Sequence, residues 1–128
     1  MNQKFVFTGL FFFFIFLFGY WLNRSGKPYN SLIFNFHKLT GLAMGIYLIV
    51  TVYRVYQTGS FNPVQILALG VTITIFIVLV AAGGLLSIEA GGDLKNASQA
   101  MIKTVSMIHK FFPYLALIAT AGSFYLLL

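Results

Sequence analysis

A chain of 128 residues with 59% hydrophobic and only 8% charged side chains departs from water-soluble domains, in which those fractions are roughly one half and one quarter. It reads as a membrane protein. The absence of cysteine excludes disulfides, thiolate metal sites and covalent cofactor attachment through Cys-x-x-Cys-His. The net charge of +6 sets eight cations against Glu89 and Asp93 alone. In so apolar a chain such cations serve orientation and anionic headgroups, and nucleic-acid binding is discounted.

An almost unbroken apolar run from Phe5 to Leu22, including Phe11 to Phe14, predicts the first membrane helix. Lys4 before an apolar stretch also suits a signal peptide, but no small-x-small cleavage site follows Trp21, so a retained helix is expected. Tyr20 and Trp21 suit the headgroup interface. The segment from Asn23 to Ser31 is polar, basic and contains Gly26 and Pro28, which predicts a loop. A second helix is expected over 32–55, closing on Tyr53 and Arg54, with Tyr56 just beyond. After Gly59 and Pro63 a third span covers 64–86. Its Val, Ile and Thr content would favour a strand in water, but an open strand leaves backbone groups unpaired in lipid, and the length decides for a helix.

The polar stretch from Ser87 to Gln99 holds both acids, and Ala97 to Met107 is patterned for a helical lead-in. The fourth membrane helix is expected over 108–128. The fold expectation is therefore all-α: an integral membrane, up-down-up-down four-helix bundle forming one domain over 1–128. Arg24, Lys27, Lys38, Lys95, Lys103 and Lys110 cluster at loops one and three and the helix starts beside them, whereas Lys4 and Arg54 lie at the other ends. The positive-inside rule puts those loops in the cytoplasm and both termini outside, in a prokaryotic plasma membrane or an organelle membrane.

The only histidines, His37 and His109, share a context: each is followed by lysine and by a helix-weakening residue four places on, Gly41 or Pro113. On helices running in the same direction, with eighteen residues before Val55 and nineteen before Leu128, the two imidazoles are expected at equal depth near each helix's first turn. That geometry suits a plate-like cofactor with one axial ligand from each helix. Gly41 and Gly45 share the face of His37 and offer no side chain to obstruct a plate, and Pro113, Ala116 and Thr120 are the compact counterparts below His109. Gly19 and the run Ala81 to Gly84 add small residues at the same level. Pro113 cannot donate to the carbonyl of His109, so a bent or loosened helix is expected there.

Two histidines with no carboxylate or cysteine at their depth cannot complete a tetrahedral zinc site, whereas haem b brings four nitrogens of its own and needs two more. With imidazole on both faces the iron is closed to oxygen and suited to electron transfer. Lys38 and Lys110 stand where the propionates of such a haem would be neutralised. The plainer reading of each feature is structural: Gly41 and Gly45 as a helix-packing notch, Pro113 as a local bend, the lysines as topology markers.

With His37, Gly41 and Gly45 in one helix and His109-Lys110 in another, the chain resembles the cytochrome b561-like superfamily of membrane b-type cytochromes, including haem-bearing anchor subunits of respiratory oxidoreductases. The resemblance spans the four-helix core. It implies His37 and His109 as axial iron ligands; a single cofactor then needs a quinone from the lipid or a redox partner subunit to complete electron transfer, and a redox partner subunit or a homo-oligomer is expected. Typical members carry two histidine pairs and two haems. One pair here leaves the opposite half, with Tyr47, Tyr53 and Arg54, without a second cofactor site. The competing class is a structural membrane subunit without cofactor. A multidrug-type transporter is disfavoured because no acid lies within a span.

Overall fold

The computed structural model describes residues 2–128 and contains four helices: α1 (Gln3–Ser25), α2 (Ser31–Gln57), α3 (Pro63–Ala90) and α4 (Gln99–Leu127). All four are long and apolar enough to cross a membrane. Their 23 to 29 residues correspond to about 35 to 44 Å, more than the roughly 30 Å hydrocarbon core. The protein is thus of the all-α, four-helix integral membrane class.

Each helix begins where a short polar side chain satisfies first-turn donors. Asn2 accepts from the Lys4 N–H at 2.9 Å, and Asn30 from those of Leu32 and Ile33 at 3.0 and 3.2 Å. Asn62 and Gln65 form a reciprocal capping box ahead of α3, with Pro63 at its first position, and Ser98 accepts from the Met101 N–H at 3.0 Å. Gly26 takes a φ of +71° where α1 ends, a conformation costly for any residue with a Cβ.

These caps correct the expected helix bounds. Every helix extends past its apolar run, and α4 starts at Gln99, so the helical lead-in expected over 97–107 runs without a break into the membrane helix expected from Ile108. Hydropathy marks the part of a helix that lipid can cover, whereas the caps mark where its hydrogen bonding starts. His37 is the seventh residue of α2, close to where a helix from Leu32 puts it, whereas His109 is the eleventh of α4, about three turns into the helix. α4 also runs through Pro113 as one uninterrupted helix.

The helices pair into two compact units, one ending at Phe61 and the other spanning Asn62–Leu128. In the first, α1 and α2 form an antiparallel hairpin packed largely through aromatic rings: Phe11 lies 5.6 Å from Tyr47 and Phe18 stacks on Phe36 at 5.8 Å, centroid to centroid. Phe12, Met44 and Leu48 are buried along it. The second unit is an antiparallel hairpin with a different seam. Thr72 Oγ1 and Ser123 Oγ are 2.8 Å apart, Thr72 also reaches the Ala119 carbonyl at 3.1 Å, and Gln65 Nε2 donates to the Leu126 carbonyl at 2.9 Å. Lipid tails are as apolar as leucine, so pairing within a membrane relies on such close packing and hydrogen bonds. Large apolar side chains point outward, Leu67 and Ile118 being 69% and 70% exposed, as befits helices solvated by lipid.

Candidate functional site

In the first hairpin, His37 of α2 packs against Gly19 of α1. A Cβ at residue 19 would lie 3.1 Å from His37 Cε1, 3.6 Å from Nδ1 and 3.9 Å from Nε2. In the second hairpin, His109 of α4 packs against Gly83 of α3, and the corresponding distances are 3.0, 3.5 and 3.8 Å. The two seats nearly coincide, atom for atom. In both, the Cε1 edge of an imidazole is laid on bare backbone of the preceding helix, where any larger residue would put its first side-chain carbon inside ordinary contact distance. The backbone of Leu79, one helical turn before Gly83, also lies close to the His109 ring. Glycine at 83 thus lets the ring come close enough to reach main-chain atoms of α3.

Both histidines are half-buried, and Nδ1 of each ring is shielded from the surface. That combination fits an axial ligand. A metal-bound imidazole commonly has one N–H held by a backbone carbonyl, which fixes ring orientation and leaves the second nitrogen to the metal.

Lys38 and Lys110, next to the histidines, are both exposed, and Lys38 Nζ stands 4.9 Å above the Phe34 ring. Gly41 and Gly45 are half-buried, and a Cβ at either would meet nothing within 4 Å. The notch is therefore not consumed in packing α1 against α2. The small residues of α4 behave differently. Ala116 and Thr120 are fully buried and lie on the same seam as Ser123, which bonds to Thr72 of α3. They build the hairpin and offer no open wall below His109, which corrects the expectation that both histidine-bearing helices present an open compact face.

In the sequence, Gly19 and Gly83 are legible only as small residues near the level of the histidines, and nothing there marks either as the seat of an imidazole. No fixed spacing announces the arrangement, since 18 residues separate Gly19 from His37 and 26 separate Gly83 from His109. The loops and the lengths of helix leading to each histidine differ, and only the antiparallel pairing brings the residues together.

No protein-family model, no curated protein and no solved structure matches the chain.

Proposed function

We propose that the protein is a membrane b-type cytochrome of the b561-like kind that transfers electrons through one haem b, which His37 and His109 would hold as iron ligands. The observation that supports this most is the duplicated seat: each hairpin holds one imidazole on a glycine in nearly the same geometry. A histidine kept only to fill space has no need of one restrained orientation twice in two seams of different composition. When bound, the haem supplies a one-electron iron couple closed to oxygen by its two imidazoles.

The chain's own residues do the rest. Gly19 and Gly83 set the rings, and the Leu79 backbone orients His109. Gly41 and Gly45 leave a flat stretch of α2 against which a macrocycle can lie. Lys38 and Lys110, both exposed beside the histidines, would neutralise the propionates of a bound haem. We further propose that these lysines face the cytoplasm, with both termini outside, and that a quinone or a redox partner subunit exchanges electrons with the haem.

The test is the visible spectrum of the chain purified from cells supplied with haem. One haem per chain with a low-spin bis-imidazole spectrum is expected, lost in His37→Ala and in His109→Ala. Full haem content and an unchanged spectrum in either variant would overturn the ligand assignment.

A further inference from the structure

At the end of the first hairpin away from His37, α1 and α2 enclose an open groove of about 590 Å³. Its polar end is formed by Lys4, in the first turn of α1, and Arg54, in the last turn of α2. Its walls toward the membrane interior are Phe7, Ile46 and Val50, with Tyr47 set between. Seventeen residues of α2 separate His37 from Arg54, about 25 Å along the helix, so the groove is a site apart from the histidine. We propose that it binds one anionic phospholipid, with the headgroup phosphate between Lys4 and Arg54 and an acyl chain along Phe7, Ile46 and Val50.

Charge supports this occupant. No Asp or Glu occurs before Glu89, so the first hairpin contains no carboxylate to neutralise the two cations. Lys4 is half-buried, an uncommon position for a lysine without a counter-charge, and Arg54 offers the forked donor geometry that suits phosphate. The order of the lining residues supports it further. Ile46, Val50 and Arg54 follow at intervals of four and form one stripe on α2, which passes from apolar to cationic toward the helix end. Lys4 and Phe7, three apart, repeat the order on α1. A lipid lying along the hairpin has the same sequence, tail toward the core and phosphate at the surface. Ile46 and Phe7 are 63% and 50% exposed, so the apolar wall is open to an acyl chain. A soluble phosphate would use the cations and leave that stripe unused.

The test uses the purified full chain, stripped of lipid in detergent, with phosphatidylglycerol and phosphatidylcholine of identical acyl chains compared by native mass spectrometry. Phosphatidylglycerol should bind about tenfold tighter or more, given two cations at its phosphate. The Lys4→Gln/Arg54→Gln double variant should lose that preference, the charge-conserving Lys4→Arg/Arg54→Lys variant should keep it, and Lys27→Gln/Lys95→Gln, which removes the same charge elsewhere, should leave it unchanged. Inorganic phosphate should not displace the lipid. Equal binding of the two lipids, a preference that survives Lys4→Gln/Arg54→Gln, or displacement by inorganic phosphate would overturn the proposal.

Discussion

Replacing Gly83 by alanine adds a single methyl group on the spot where the His109 ring rests. The new Cβ would sit 3.0 Å from His109 Cε1, while ordinary contact begins at 3.4 Å, so the ring must retreat by a few tenths of an ångström. Such a retreat also moves it relative to the Leu79 backbone. Overpacking of this kind costs about 1–3 kcal/mol. Alanine returns up to about 1 kcal/mol through its better helix propensity. The net expectation is a loss of about 1 kcal/mol, the middle of the range that these opposing contributions leave. The neighbouring glycine supplies the control, because a Cβ at Gly84 meets nothing within 4 Å and Gly84→Ala should be neutral or stabilising.

Melting of both variants in the same detergent, with the His109 ring followed by NMR in histidine-labelled protein, reads the effect without any cofactor. A double-mutant cycle sharpens it: in a His109→Ala background the penalty of Gly83→Ala should vanish, since the atom it collides with is gone. Equal stability of Gly83→Ala and Gly84→Ala together with an unmoved ring resonance would refute the seat. In haem-loaded protein a ring displacement of that size is comparable with the whole latitude of metal–ligand distances, roughly 0.2 Å either way, so the low-spin spectrum of Gly83→Ala should shift as well.

Gly45→Leu should lower haem occupancy more than Gly70→Leu, because both glycines have open space around them but only Gly45 lies on the His37 face; pyridine haemochrome yields per chain decide, and equal yields would favour an ordinary packing notch. A redox titration of the purified chain should fit one one-electron component, as one histidine pair demands, and two resolved components would contradict it. Thr72→Val should destabilise the second hairpin by about 1 kcal/mol, since it removes a buried hydroxyl bonded to Ser123 and the Ala119 carbonyl, whereas exposed Thr74→Val should change melting little.

The helices could be read from composition because hydropathy and length are local properties, and lipid leaves a run such as Val64 to Leu86 no alternative to helix. Their ends were less legible. Gln99 to Met107 is patterned as a helix but too polar to register as a membrane span, and it is Ser98 at its start and the continuous hydrogen bonding behind it that make it the first turns of α4. The role of Ala116 and Thr120 is hidden for another reason. Helical spacing from His109 correctly places them on its stripe, but spacing within one helix does not say which neighbour that stripe meets. Thr72 on α3 supplies the answer through Ser123, and no pattern within α4 could have done so.

The same limit bears on the glycines. Gly83 is one of a pair and Gly19 stands between Phe18 and Tyr20, so neither has a local signature, and the twelve glycines of the chain are too many to single out two. What distinguishes them is their partner. The first hairpin is packed with stacked rings and the second with small and hydroxyl side chains, yet each histidine lies on its glycine at nearly the same distances. Because the surroundings differ and the seat does not, the seat is a property of the glycine and histidine together: bare backbone on one helix and a flat ring on the other fix the approach whatever fills the rest of the seam. Gly19→Ala should therefore affect His37 as Gly83→Ala affects His109, despite the aromatic packing around it. A ring at His37 undisturbed by Gly19→Ala, with His109 displaced by Gly83→Ala, would show that the aromatic seam and not the glycine sets the first imidazole.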